Sequence, residues 1–211
     1  MTDISVDVAC PPRAIRERGD AAERTAALST LPLSVPLVLD LDGTLIAGDL
    51  LYKSFFSILR RNPLIVFSCA RWLLRGRAAL KRQLALRNRI DWDRLQLHQD
   101  VLDLAQKEKA AGRMIVLATA ADAVLAGQLA ARLGFFDQIF ASDGELNLKG
   151  SAKAELLSQT FPAGFIYAGD SNADLAVWAR AAGVVLVNAH QSVRDAARAL
   201  AKPMLELSGR V

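Results

Sequence analysis

The string Asp40-Leu41-Asp42-Gly43-Thr44-Leu45 follows a short apolar run, Leu37-Val38-Leu39. On an extended strand end, residues two apart point the same way, so both carboxylates are expected to face one site. Two carboxylates that close need a shared proton or a cation between them. A magnesium ion held by oxygens meets that need. Gly43 lets the chain turn away after the second acid. A second acidic pair lies in Gly169-Asp170-Ser171-Asn172-Ala173-Asp174, directly after Phe165-Ile166-Tyr167-Ala168. Asp170 at a strand end and Asp174 one helical turn later can reach a common metal. Either acid alone would serve equally well as a helix cap or a solvent-facing charge.

Placing four acids together requires strands whose ends meet. Residues 37–41, 114–118, 138–140, 165–168 and 184–187 are short apolar runs bounded by turn residues and read as buried strands. Helical spacing fills the intervals at about 93–110, 121–133, 151–159, 173–182 and 191–201, several closing on a glycine. Apolar strands alternating with helices predict a doubly wound α/β fold with a parallel sheet covered on both faces. Ligands in such sheets sit at the carboxyl ends of the strands, where Asp40, Thr119 and Asp170 all fall. The expected division is an arm over residues 1–33, a core over 34–48 and 111–205, and a helical cap inserted over 49–110.

The Asp-Leu-Asp-Gly-Thr-Leu string resembles the first motif of the haloacid dehalogenase-like (HAD) hydrolase superfamily, and the resemblance runs from about residue 36 to 188 with four motifs in order. It implies a Rossmann-like core, Asp40 as nucleophile and Asp42 as general acid and base. The second motif, a hydroxyl closing the next core strand, is matched by Val116-Leu117-Ala118-Thr119, so Thr119 is expected to bind the phosphoryl group. Ala120 beside it has a side chain small enough to leave room for that group, although strand-end packing explains it equally. The third, a lysine opening a helix, is matched by Lys153-Ala154-Glu155-Leu156-Leu157 in a form similar to phosphoserine phosphatases, with Lys149 as a competitor four residues earlier. The fourth is the Asp170 loop. Together they imply a phosphatase with Mg2+ held by Asp40, Asp42, Asp170 and Asp174, and with Thr119, Ala120, Lys153 and Gly43 around the substrate. Dehalogenases are disfavoured because Asp42 supplies the acid they lack.

Composition supports a globular protein: 52% of the 211 residues are apolar and 23% charged. The net charge of +4 conceals an asymmetry. Leu50 to Ile90 holds ten basic residues and no acid, so the rest of the chain carries a balance of −6. The bland explanation is the solvated face of a helical cap, with arginine stems lying along apolar surface. Phe55, Phe56, Phe67, Trp72, Leu73 and Leu74 lie among these charges, which also fits peripheral contact with an anionic membrane. Nucleic acid is not expected as a partner, since nothing specifies a groove for it.

Segments such as Arg61-Asn62-Pro63, Arg75-Gly76-Arg77 and Asn147-Leu148-Lys149-Gly150 resemble the HAD domains fused to UbiA-type prenyltransferases. This implies a small phosphorylated substrate such as a prenyl-linked sugar or related lipid intermediate. It leaves open a docking module of a membrane prenyltransferase system with little turnover, and a phosphomutase. Two distant cysteines, Cys10 and Cys69, argue against a disulfide framework. The first residues lack a basic, apolar leader, and no uncharged stretch is long enough to span a bilayer. A cytoplasmic protein with scope for peripheral contact at the inner membrane face is the expectation. His98 and His190 have no ligand partners at metal spacing and read as surface or helix-end residues.

Overall fold

The computed structural model describes residues 28, 30–48, 59, 64–87, 95–143, 145 and 147–211, with the side chains of Arg77 and Ala78 left aside. The expectations for residues 1–27, for most of 49–63, for 88–94 and for Gly144 lie outside the described residues.

Among the described residues, the centre is a six-stranded sheet with every neighbouring pair parallel. Its strands are β1 (Leu37–Leu39), β2 (Ile115–Asp122), β3 (Gln138–Ser142), β4 (Ile166–Gly169), β5 (Gly183–Val187) and β6 (Met204–Leu207). The spatial order β3-β2-β1-β4-β5-β6 places β1 inside the sheet, between β2 and β4. Alternation along each strand decides which layer a residue joins. Leu37, Leu39, Ile115, Leu117, Ile166 and Ala168 enter one core cluster, whereas Val38, Val116, Ala118 and Tyr167 enter the other. Both faces are therefore apolar, which is why these strands read as continuous hydrophobic runs.

The helices, numbered along the chain, are α1 (Ile65–Leu73), α2 (Arg77–Arg87), α3 (Gln99–Ala110), α4 (Ala123–Leu133), α5 (Ser151–Thr160), α6 (Leu175–Trp178) and α7 (Gln191–Arg198). Helices α3 and α4 cover the first face, burying Val101, Ala105, Leu125 and Leu129. The second face takes α5, α6 and α7 through Leu157, Trp178 and Val193. Removing one fully buried leucine from either layer, as in Leu39→Ala, would cost about 2–5 kcal/mol.

Helices α1 and α2 share a separate small cluster of Ile65, Trp72 and Leu84. The chain leaves for them and returns at one place. Ala47 N–H donates to Gln96 O at 3.0 Å, His98 N–H to Leu45 O at 3.0 Å, and Ile46 bridges antiparallel to Leu97.

Three differences from the sequence expectations have local causes. Helix α3 falls within the span assigned to the cap, but its buried face belongs to the main core. Leu28 and Leu31, expected in a loose arm, pack on that core, while the buried Arg113 guanidinium donates to Leu31 O, Pro32 O and Val35 O. Strand β2 runs on to Asp122, where a helix was expected from 121, because Asp122 caps α4 by accepting from Val124 N–H at 3.0 Å.

Candidate active site

Asp40 is the first residue past β1, with its N–H donating to Ala168 O of β4 at 3.0 Å. That bond holds it at the carboxyl end of the sheet, and its residue exposure is 9%. Lys153 comes from the first turn of α5 and is 3% exposed. Its ammonium donates to Asp40 Oδ1 at 2.7 Å and to the Tyr167 hydroxyl at 2.7 Å. Tyr167 in turn donates to Asp174 Oδ1 at 2.9 Å. One buried chain of hydrogen bonds therefore links Asp40, Lys153, Tyr167 and Asp174.

The other oxygen of Asp174 accepts from Asp170 N–H at 3.2 Å, Ser171 N–H at 3.1 Å and the Ser171 hydroxyl at 3.0 Å. These bonds close a capping box on the 3₁₀ turn Asn172–Asp174. Ser171 thus serves as the cap of this turn.

One oxygen each from Asp40, Asp170 and Asp174 lies within 4.8 Å of the other two. Burial pushes the Asp170 carboxyl up to about 7, with Asp174 and then Asp40 adding to the rise. Asp40 is also raised, chiefly by burial, although Lys153 pulls it back. Burial and the neighbouring acids lift the Tyr167 hydroxyl well above its ordinary value, so it stays a donor. Three converging carboxylates against one ammonium leave surplus negative charge in a protected place. An all-oxygen set of this kind suits a hard divalent cation such as Mg2+. Backbone economy reinforces the fit. Gly43 has φ +77°, and a Cβ there would stand 2.2 Å from Asp170 Oδ2. At Gly169 a Cβ would stand 2.7 Å from Asp174 Cγ.

A cavity of about 330 Å³ opens over the cluster, and Asp42, Gly43, Ala120, Lys149 and Lys153 line it. Asp42 corrects one expectation: it lines the cavity but is not in the three-carboxylate set. Strand β1 ends at Leu39, and residues 41–45 form a turn closed by Leu45 N–H to Leu41 O at 3.0 Å. The two-residue alternation that aligns strand carboxylates has stopped before Asp42 is reached. Thr119 is fully buried and not among the lining residues, with its hydroxyl oxygen accepting from Ala121 N–H at 2.9 Å. Its neighbour Ala120 is the one that reaches the cavity wall. Of the two lysines, Lys153 contacts Asp40, whereas Lys149 is an exposed residue of the lining.

Two further contributors escaped the sequence reading. Tyr167 reads from the sequence as strand packing, yet a phenol within an apolar run is the available signal that a buried donor is needed. Lys81 of α2 reaches the cavity and donates to Ala120 O at 2.6 Å and Asn147 Oδ1 at 3.1 Å. Beside it Arg82 pairs with the buried Asp122 at 3.1 Å. Nothing in their spacing distinguishes these two from the other bases of the segment. His98, read as a surface or helix-end residue, stands at the N-terminal end of α3 and is buried there, with Nδ1 2.8 Å from Thr44 O.

The signature of the haloacid dehalogenase-like hydrolases matches residues 37–178. A curated relative, the uncharacterised protein y4nM of Sinorhizobium fredii, is 42% identical over 153 residues, covering 72% of this chain. The chain spans 30% of that relative's length. Among solved structures, a Bordetella pertussis protein of unknown function aligns with a TM-score of 0.64 at 17% identity, over 83% of this chain and 99% of that one. Phosphoserine phosphatase in its apo form aligns with a TM-score of 0.58 at 14% identity, over 84% and 95%. These two likenesses speak to the fold. All three carboxylates of the cluster lie inside the matched span, and the chain belongs to the haloacid dehalogenase-like hydrolase family.

Proposed function

We propose that this chain is a Mg2+-dependent phosphatase that cleaves a phosphomonoester through an aspartyl-phosphate on Asp40. The supporting observation is the position of Asp40 at the sheet's carboxyl edge, paired with Lys153 and within 4.8 Å of the Asp170 and Asp174 oxygens. Asp40, Asp170 and Asp174 would hold the cation, which when bound supplies Lewis-acid polarisation and screens one anion from another.

In the first step an Asp40 oxygen attacks phosphorus, and the ester P–O bond breaks as Asp42 gives its proton to the leaving oxygen. Water then attacks the phosphoryl group while Asp42 takes its proton. The bond between Asp40 and phosphorus breaks, inorganic phosphate leaves, and both carboxyl groups return to their starting states. Lys153 neutralises phosphoryl oxygens through both steps. Ala120, at the cavity wall, leaves room for the same group, and Gly43 keeps the backbone clear of Asp170.

The finer substrate reading is a phosphorylated prenyl-linked sugar or a related lipid intermediate. Its support is the resemblance to domains fused to UbiA-type prenyltransferases, together with Lys81 and Lys149 at the cavity, which suit an anionic group beyond the reacting phosphoryl. A docking module with little turnover would not need the buried pairing of Asp40 with Lys153, so hydrolysis is the better-supported reading. Among the described residues no helix is long and apolar enough to cross a membrane.

The test is phosphate release from para-nitrophenyl phosphate by the purified chain. Activity should require Mg2+, stop with a chelator, and vanish in Asp40→Asn. Undiminished release by that variant overturns the assignment.

A further inference from the structure

Helix α1 buries Ile65 and Trp72, which are 7% and 6% exposed, against Leu84 of α2. Its opposite side is not polar. Phe67 is 77% exposed and Leu74 89%, with Val66 at 48% and Leu73 at 52% beside them. At 3.6 residues per turn, Phe67 and Leu74 share a face turned away from Ile65 and Trp72. Arg71 sits between them, four residues after one and three before the other, and exposed Arg75 follows.

Single exposed apolar residues are ordinary on a protein surface, but a contiguous set rimmed by charge marks a contact site. The charge here has one sign, since the stretch from Leu64 to Arg87 contains six bases and no acid. An aromatic and a leucine flanked by arginines is the composition of a helix that lies in the headgroup layer of an anionic bilayer. Each base near such a surface adds to the attraction.

We propose that α1 is a docking surface for an anionic lipid bilayer, with Phe67 and Leu74 entering the acyl boundary and Arg71 and Arg75 meeting the phosphate headgroups. The surface belongs to α1 and stands independently of the hydrolase reading. It also has a geometric use. Helix α1 packs on α2, and α2 reaches the cavity through Lys81, Leu84 and Ala85. Docking therefore sets the cavity one helix away from the lipid.

The experiment is sedimentation of the full chain with vesicles of phosphatidylcholine alone and of phosphatidylcholine mixed with phosphatidylglycerol. The chain should pellet with the anionic vesicles, less so as salt rises, and stay in solution with the neutral ones. Phe67→Gln combined with Leu74→Gln should lower partitioning roughly tenfold or more, and Arg71→Glu combined with Arg75→Glu should abolish the preference for anionic lipid. Both pairs should keep the parent melting temperature and the parent rate on a soluble aryl phosphate. If the chain hydrolyses nothing, the vesicle result still reads the docking surface. Failure to pellet with anionic vesicles overturns the proposal, as does pelleting that ignores the double glutamine change. So does a mass that doubles with concentration in the parent but not in that variant, which would assign the face to a second copy.

Discussion

Lys153 and Asp40, 113 residues apart in the chain, meet at 2.7 Å in an ion pair almost wholly removed from water. Such a pair is costly to break from one side, because the partner left behind is a buried charge without compensation. The same ammonium reaches Tyr167, so its position is fixed twice.

Lys153→Met should therefore lower kcat/KM by about 10²–10³-fold, the scale of losing one preorganised donor to a developing anion. Lys149→Met, at an exposed position of the lining, should cost less than about tenfold. Steady-state rates of both variants on one aryl phosphate check this, and equal losses would contradict the assignment of Lys153.

Gly43→Ala should damage metal binding before it damages the fold. The residue sits at φ +77°, which costs an alanine roughly 1–2 kcal/mol. The new methyl would also displace the Asp170 carboxylate. A modest fall in melting temperature is expected alongside a much larger loss of Mg2+ affinity, readable by calorimetric titration.

The pH dependence has a definite sign. Asp170 is raised from 3.8 to about 7, so the metal-free folded state keeps a proton that the unfolded chain has already released. Its contribution to stability is complete below about 3.8 and is lost as pH rises through about 7. Melting temperatures of the metal-free protein, compared with Asp170→Asn, should show a larger loss in the parent. Mg2+ competes with the same proton, so its affinity should weaken as pH falls below about 7.

Tyr167→Phe removes the hydroxyl that joins Lys153 to Asp174. Loss of buried, charge-linked hydrogen bonds should cost about 1.5–3 kcal/mol. Denaturant titration reads the stability. A fall in Mg2+ affinity would show that the phenol also positions Asp174, whereas unchanged affinity would limit it to a structural role.

Asp42→Asn should slow esters with poor leaving groups more than those with good ones. General acid catalysis is worth about 10²–10⁴-fold when the leaving oxygen needs a proton, and less for an aryl oxide that departs unaided. Rates on an alkyl and an aryl phosphate, taken with the same preparation, give the comparison.

Much of this architecture was readable before any coordinates. Strands buried on both faces need apolar residues at every position, so β1, β2, β4 and β5 stood out as runs. Strand β6, Met204–Leu207, was missed because it lies at the sheet edge and carries Glu206, which leaves no run to see. Asp40, Asp170 and Asp174 were found because strand ends and helix turns place side chains predictably. Asp42 lines the same cavity but stands outside the three-carboxylate set, because a turn has no such period. The role of Tyr167 was hidden for the opposite reason, since its ring satisfies the core pattern while only its hydroxyl serves the site. Lys81 could not be singled out, because which base of a charged helix reaches a neighbour depends on how two bodies dock.

The stalk where Ala47 meets Gln96 and Ile46 meets Leu97 has a consequence for how such a protein can change over time. The core's exit and re-entry points abut, so the order of the strands does not depend on the length of what is threaded between them. That insert could be exchanged, lengthened or pared down by descent with no strand of the sheet rerouted. The surface carried by the insert can then diverge while the carboxylate cluster is inherited intact.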